Sequence, residues 1–324
     1  MPHRNRASAA HSRRRAAPRR ELLPLGGQRS GEAASGGVHF RHALSLFLLA
    51  GFCLSSLDTT AKYLVRDHAL LIVVWARYAG QTLVVTPFAW HRAGPGFWRT
   101  KRLPMQLVRS SFLLAATMCF FGGLRFLPLA EASSITFLAP VVVVALSLPV
   151  LGERPTRPRI AAAVVGFIGI LILLRPGSSI LHPAVLLLLA AAFCNAFYQM
   201  LTRKLLEEVP HTTLFYSALV GTVALSAALP WTIAETSFAA TDALLLLLLG
   251  TLAGIGHWCL THAYLAAPAS LLTPFTYLQI LWATAFGLIV FGQHPDGWSA
   301  VGMAVIALSG LLLALHERRR ARIG

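Results

Sequence analysis

Residues 127–155 of the chain read LPLAEASSITFLAPVVVVALSLPVLGERP, and residues 267–295 read APASLLTPFTYLQILWATAFGLIVFGQHP. The two stretches align without a gap: each has proline as its second residue, and each ends in a glycine, two polar residues and a proline. Between these points both stretches are apolar over a length sufficient to cross a membrane. The pattern predicts one structural unit that occurs twice, once in each half of the chain.

Apolar runs of similar length continue on both sides of these stretches. We predict ten transmembrane spans, at residues 43–65, 69–90, 104–123, 130–151, 159–174, 181–202, 212–234, 243–264, 269–291 and 298–316. Each half holds five spans, and an odd number makes the second half enter the membrane from the opposite side. The predicted fold class is therefore an all-α integral membrane protein, with ten transmembrane helices arranged as two inverted five-helix repeats.

The composition of the chain also favours a membrane class. Of its 324 residues, 56% are hydrophobic and 12% are charged, whereas about a quarter of the residues in soluble domains are charged. A soluble core could not hide so much apolar side chain, so the excess is expected to face lipid. The four cysteines lie inside predicted spans and lack the spacing of a metal site, so we expect no cofactor and no bound metal.

The formal net charge of +16 comes mainly from basic residues before the first span and after the last one. The connections predicted to lie outside hold only Arg66, Arg125 and Arg175 of the 28 lysines and arginines. This bias predicts cytoplasmic termini by the positive-inside rule, in a multi-pass protein of the cell (inner) membrane. The lipid bilayer accounts for the basic charge better than a nucleic acid, because no nucleic-acid-binding module accompanies it.

The domain boundaries follow from the spans. Residues 1–42 are predicted to be a disordered basic cytoplasmic tail, because they contain few large apolar residues. Residues 43–177 form the first five-helix repeat, and residues 178–316 form the second. Residues 317–324 end the chain as a second basic cytoplasmic tail.

Short motifs occur along both halves in a fixed order: Val108-Arg109-Ser110, Leu127–Ala132, Pro140, Leu151-Gly152-Glu153, Gly166–Gly169, Ala267-Pro268, Pro274–Leu278 and Phe291-Gly292. In order and spacing they resemble the drug/metabolite transporter superfamily, and within it the ten-helix EamA-type family, over residues 43–316. The resemblance implies two inverted repeats around a central cavity and transport by alternating access. It also implies that the substrates are amino acids, nucleotide sugars, vitamins or other metabolites.

A second pattern consists of Asp58, Lys62, Tyr63, Leu64, Arg77, Tyr78 and Tyr277. It is similar to a branch of the family that includes uptake proteins for S-adenosylmethionine and riboflavin. The chain departs from a symmetric pair of acids, because Gln293 stands in the second half where Glu153 stands in the first.

Ionisable side chains inside predicted spans are functional candidates, because a charge in the membrane is costly. Asp58 and Arg77 are predicted at similar depths on the outer side of the mid-plane, where a close ion pair could form. Lys62 lies one helical turn from Asp58, and we expect it either to share that carboxylate or to extend to the outer surface. The three residues are either a structural clamp between the first two helices or a direct part of substrate or proton binding.

Polar and aromatic residues at helical spacing mark further faces turned toward a cavity or a neighbouring helix. The remaining binding or gating candidates are Gln81, Asn195, Gln199, His257, Trp258, Thr261, Thr273 and Tyr277. Such side chains suit a flat or zwitterionic organic solute, although each could also serve as a contact between helices. His257 either couples transport to protons or is a hydrogen-bonded packing residue.

Two further features concern helix packing. Arg109, at the cytoplasmic start of the third span, is expected to be an interfacial anchor rather than a ligand. Gly250 and Gly254 form a GxxxG motif, which permits close helix approach either within the chain or in a homodimer.

The sequence favours a secondary transporter of a small organic metabolite, which would be an amino-acid-like, vitamin or nucleoside-type solute. A Walker-type phosphate loop does not occur in the sequence, which argues against ATP-driven transport. The alternatives are a channel, a structural membrane protein or an integral membrane enzyme. His257 and His262 stand five residues apart, a spacing that does not place them on one helix face, so we expect no catalytic residues.

Overall fold

The computed structural model of the chain describes residues 28–152, 154–174, 182–205, 207–233, 239–267 and 269–323. Within these ranges every regular element is helical, which confirms the predicted all-α class. The helices are α1 (Gln28–Asp67), α2 (Leu70–Ala93), α3 (Leu103–Leu124), α4 (Leu129–Thr136), α5 (Ala139–Leu146), α6 (Arg157–Leu174), α7 (Ala184–Arg203), α8 (Pro210–Ser226), α9 (Leu229–Ile233), α10 (Ala240–Ala266), α11 (Ala269–Leu272), α12 (Leu278–Phe291) and α13 (Gly297–Ile323).

The chain divides into two units, Met1–Val38 and His39–Gly324. The first unit contributes only the beginning of α1 to the described residues, and most of the predicted N-terminal tail lies outside them. All the contacts reported below belong to the second unit.

Eight helices in the described part of the chain are long and apolar enough to cross a membrane. They are Phe40–Asp67, Leu70–Gly96, Leu103–Leu124, Leu129–Val150, Arg157–Leu174, Ala184–Arg203, Ala240–Ala266 and Gly297–His316. The two other predicted spans fall on shorter helices, α8 with 17 residues and the apolar segment Phe275–Phe291. The structure therefore supports a multi-pass helical membrane protein.

Proline residues interrupt two helices that the sequence predicts as continuous. Pro140 stands in the first turn of α5 and separates it from α4, and Pro274 is the second residue of the 3₁₀ turn Thr273–Tyr277 between α11 and α12. Proline has no amide proton and its ring collides with the preceding turn, so the helix breaks there and starts again. The predicted span at 130–151 is therefore made of two helical pieces, and the apolar helix within the predicted span at 269–291 covers Phe275–Phe291.

The two apolar stretches end in the same way. Gly152 and Gly292 have φ values of 70° and 61°, in the left-handed region that glycine enters without strain. The amide of each glycine donates to the carbonyl four residues earlier, that of Leu148 or Leu288. This shared end geometry matches the alignment of the two halves.

The helices pack in a defined set of pairs. Helix α2 packs against α8 and α10, α3 packs against α7 and α8, α6 packs against α13, and α4 packs against α12. Helix α1 meets α10, where the rings of Phe47 and Tyr264 are 5.8 Å apart. Helix α2 therefore has neighbours from the second half of the chain on two sides.

The backbones of α2 and α10 approach each other directly at two glycines. A Cβ atom placed on Gly80 would lie 2.5 Å from the Cα of Gly250, and one placed on Gly250 would lie 2.6 Å from the Cα of Gly80. One turn further along α10, Gly254 accommodates the side chain of Val84. The GxxxG motif of α10 thus serves packing within this chain, as small residues commonly do between membrane helices.

We expect the variant Gly250→Ala to destabilise the protein, because its methyl group would force α2 and α10 apart. Overpacking of this kind costs about 1–3 kcal/mol, which a lower melting temperature of the purified protein in detergent would report. The matched control is Gly51→Ala on α1, where nothing lies within 4 Å of the added Cβ atom. Equal melting temperatures for both variants would contradict the close approach of α2 and α10.

Candidate functional site

Arg77 projects from α2 to α10 and lies at the centre of a buried polar cluster. Its Nη2 atom is 3.3 Å from Nε2 of His257, and its guanidinium lies over the ring of Tyr78 at 4.5 Å from the centroid. The side chain is 5% exposed, and its Nη1 atom has no hydrogen-bond partner among the described residues. Arg77 is therefore held in place while one of its donor atoms stays available.

Tyr78 fixes the orientation of this part of α2. Its hydroxyl is 2.9 Å from Oγ1 of Thr117 on α3, and its ring packs directly on Gly221 of α8. Any side chain at position 221 would collide with the ring. The three helices thus hold Tyr78, and through its ring they support the guanidinium of Arg77.

Gln81 lies one turn beyond Arg77 on the same helix. Its side chain is fully buried, and neither Nε2 nor Oε1 has a hydrogen-bond partner within the described ranges. Residues four apart on a helix share one face. Arg77 and Gln81 therefore form a pair of buried side chains with unused polar atoms.

Asp58 does not form the close ion pair that its predicted depth suggested. Among the described residues no ion pair within 4 Å joins Asp58 to Arg77 or Lys62. The carboxyl group is half-buried and experiences the charge of Arg77 only through space. Depth along a helix does not fix the direction in which a side chain points, and both cations have other partners.

Lys62 is tied to the end of α3. Its Nζ atom donates to the carbonyl oxygens of Leu124 at 2.7 Å and Leu127 at 2.6 Å, and it lies 5.6 Å from the ring centroid of Phe291. The residue is 2% exposed, so it does not extend to the outer surface. Of the two readings of Lys62, its contacts favour the structural one.

The other candidates occupy several places in the fold. Thr261 donates to the carbonyl of His257 within α10, and the ring centroids of Trp258 and His262 are 4.2 Å apart with the planes tilted by 32°. Asn195 on α7 is half-buried and Gln199 is exposed.

The last two candidates lie where α11 meets α12. Tyr277 stacks on Phe137 with ring centroids 5.3 Å apart, and the side chain of Thr273 lies outside the described residues. The geometry thus brings Arg77 and His257 into contact, with Gln81 one turn away on α2 and Asp58 within electrostatic reach of Arg77, and it leaves Tyr277 elsewhere.

Arg109 is buried and fully bonded rather than an interfacial anchor. It donates from Nε to Thr202, from Nη2 to the hydroxyl of Tyr198, and from Nη1 to Ser217 and the carbonyl of Thr213. These bonds join α3 to α7 and α8. The expectation of an anchor was wrong because hydropathy places Arg109 near a span end but does not show how many polar partners surround it.

A cavity of about 100 Å³ lies between α1, α10 and α12, at the other end of the bundle from Lys62. Its lining includes Phe47, Tyr264, Phe275, Thr276, Gln279 and Trp282. Arg77 and Gln81 do not line it, and both are buried. A solute that reaches them must therefore enter through a rearrangement of the helices.

A model of the EamA-like transporter family matches the chain twice, over residues 41–175 and 182–315. The chain belongs to the EamA-like transporter family. Its membership confirms the resemblance, and it identifies the protein as a membrane transporter of small metabolites rather than an enzyme.

Several transporters resemble the chain over most of their length. An S-adenosylmethionine uptake transporter of Rickettsia prowazekii (strain Madrid E) is 26% identical over 282 residues, covering 86% of this chain and 95% of that protein. A riboflavin transporter of Vibrio cholerae serotype O1 is 27% identical over 281 residues, covering 85% and 93%. One solved crystal structure has a TM-score of 0.63 and 18% identity over 87% of this chain and 99% of that chain, so the fold is shared.

We expect Lys62→Met to lower the melting temperature of the purified protein. The substitution leaves two buried carbonyl groups without a donor, and unsatisfied buried groups cost about 1–3 kcal/mol each. Lys101→Met is the control, because Lys101 is exposed. A normal melting temperature together with abolished transport would instead place Lys62 among the residues that act on the substrate.

Proposed function

We propose that the protein is a secondary carrier that moves a small organic metabolite across the cell (inner) membrane by alternating access. The observation that carries this proposal is the buried pair of Arg77 and Gln81 on α2, which keep three polar atoms without a hydrogen-bond partner among the described residues. Polar groups in membrane helices are costly and mark substrate pathways. Relatives named for S-adenosylmethionine and for riboflavin support an amino-acid-like or vitamin-type solute.

Ten spans in two inverted repeats are the proposed architecture, with residues 43–177 and 178–316 as the repeats. In this arrangement α2 corresponds to α8, α6 to α13, and the broken span of α4 and α5 to that of α11 and α12. Each of these spans packs against its own counterpart, the broken pair through α4 and α12. The contact of α3 with α7 corresponds likewise to that of α10 with α1. Pairing of this kind supports a pseudo-two-fold axis, and the two matches of the family model agree with it.

The proposed orientation places both termini, with the basic tails at residues 1–42 and 317–324, in the cytoplasm. Lys62, the start of α4 and the end of α12 then lie at the outer face. The positive-inside bias of the sequence supports this direction.

At this outer end, side chains of one half hold the other half. Oε1 of Gln293 accepts from the amide of Leu129 at 3.1 Å, and Oγ of Ser299 donates to Oε1 of Glu131 at 2.8 Å. The cavity beside Phe47 lies at the opposite, cytoplasmic end. These contacts support a state closed to the outside, from which transport requires the two halves to separate.

The proposed substrate-binding or gating residues are Asp58, Arg77, Gln81 and His257, and Lys62 is proposed to be structural. For Asn195, Gln199, Trp258, Thr261, Thr273 and Tyr277 a role in binding stays a prediction. A channel would conduct without the conformational change that burial of Arg77 and Gln81 requires. Stimulation of uptake by unlabelled metabolite on the opposite side would distinguish the carrier from a channel.

Cells that express the native protein should differ in at least one metabolite from cells without it, in the cytoplasm for uptake or in the medium for efflux. At matched membrane levels, we expect Asp58→Asn to reduce that difference at least tenfold, because it removes the negative charge beside Arg77. Asp67→Asn, an exposed position on the same helix, serves as the control and should behave as native.

No metabolite difference between expressing and non-expressing cells would contradict the transport proposal. If the native protein produces a metabolite difference and Asp58→Asn produces the same difference, only Asp58 would be excluded from the site. Mass spectrometry of cell extracts and medium provides both readouts.

A further inference from the structure

The described membrane-spanning part contains more buried positive than negative charge. Lys62, Arg77 and Arg109 are 2%, 5% and 2% exposed, whereas the nearby acids Asp58 and Glu131 are only half-buried. Lys62 donates to two backbone carbonyls, and Arg109 uses all three of its nitrogen atoms. Arg77 alone of these three cations keeps a buried nitrogen, Nη1, without a partner in the described ranges.

A buried guanidinium nitrogen without a partner is unfavourable, and the cost is larger for a charged group than for a neutral one. The two unused atoms of Gln81 add to it. Because both Nε2 and Oε1 lack partners, the conclusion does not depend on which way the amide is turned. Three unused polar atoms on one face of α2 form an incomplete binding site.

The three atoms define the chemistry of their partner. Arg77 Nη1 is a charged donor, Gln81 Nε2 is a neutral donor, and Gln81 Oε1 is an acceptor. Guanidinium groups bind carboxylates strongly, since both partners carry charge. A ligand with a carboxylate and an adjacent donor satisfies all three atoms at once, and an α-amino acid group has this arrangement.

We propose that Arg77 and Gln81 bind the α-amino acid group of the transported metabolite. The carboxylate accepts from Arg77 Nη1 and Gln81 Nε2, and the ammonium group donates to Gln81 Oε1. This assignment rests on the proposed carrier function and narrows it to one class of substrate.

Two neighbouring side chains fix the orientation of Arg77. His257 holds Nη2 at 3.3 Å and the ring of Tyr78 supports the guanidinium plane, so Nη1 is oriented before the ligand arrives. Preorganisation of this kind lowers the entropy cost of binding. The half-buried carboxyl of Asp58 lies within electrostatic reach of Arg77.

The assignment separates the two kinds of solute named for the relatives. S-adenosylmethionine contains an α-amino acid group, whereas riboflavin has no carboxylate. The unused atoms of Arg77 and Gln81 therefore favour a solute that contains an α-amino acid group, whatever the rest of that solute is.

Binding of matched ligand pairs to the purified full-length protein tests the assignment. The probes are S-adenosylmethionine with its decarboxylated analogue, and L-methionine with L-methioninamide, with riboflavin as a probe without a carboxylate. We expect at least one acid to bind tenfold or more tightly than its partner, as measured by ligand-induced shifts in melting temperature. The preference should disappear in Arg77→Gln and persist in Arg92→Gln, an exposed arginine on the same helix.

The variant Gln81→Leu keeps the test decisive if Arg77→Gln fails to fold. Replacing a buried amide without partners by an apolar side chain should maintain or raise the melting temperature of the ligand-free protein. The same variant should weaken binding of the acid tenfold or more. A residue with a purely structural role would not combine unchanged stability with lost affinity.

Three results would overturn the assignment. One is equal binding of an acid and its carboxylate-free partner, and another is an acid preference that survives Arg77→Gln. The third is that riboflavin binds, or that neither acid binds. In that case the unused atoms of Arg77 and Gln81 would be assigned to water and not to a carboxylate. Each of these leaves the carrier proposal standing if the metabolite comparison still shows transport.

Discussion

The direct contact of α2 with α10 at Gly80 and Gly250 is the constraint on which the proposed site depends. Neither position leaves room for a Cβ atom, so the two backbones are in direct contact there. This separation lets the side chain of Arg77 on one helix reach His257 on the other at 3.3 Å. Small residues let membrane helices approach closely, so that close packing and a polar cluster can share one interface.

The three buried cations divide into different roles because their partners differ. Lys62 is satisfied by carbonyls where α3 ends, and Arg109 by side chains of α7 and α8, so both stabilise helix contacts. Arg77 is restrained by His257 and Tyr78 but not satisfied. In a membrane interior, where water does not supply the missing bonds freely, this difference favours Arg77 as the residue that meets the substrate.

The sequence predicted what hydropathy and short motifs determine: the helical membrane class, the family, and Arg77, Gln81 and His257 as candidates. It did not predict the partner of Gly250, since a small-residue motif indicates that another helix approaches closely but does not identify that helix. The expected ion pair between Asp58 and Arg77 does not form, because a similar depth in the membrane leaves the rotation of each helix undetermined. The role of Arg109 was missed because its partners come from two helices distant in sequence.

Accessibility of position 81 tests most directly whether a substrate site at the contact of α2 with α10 opens in turn to each side. The measurement uses Gln81→Cys in a chain whose four native cysteines are replaced by alanine, reconstituted in vesicles and treated with a membrane-impermeant thiol reagent. Alternating access predicts labelling from either side, but never from both in the same conformational state. Labelling from neither side, or from one side only, would contradict a site between these helices that opens in turn to each side.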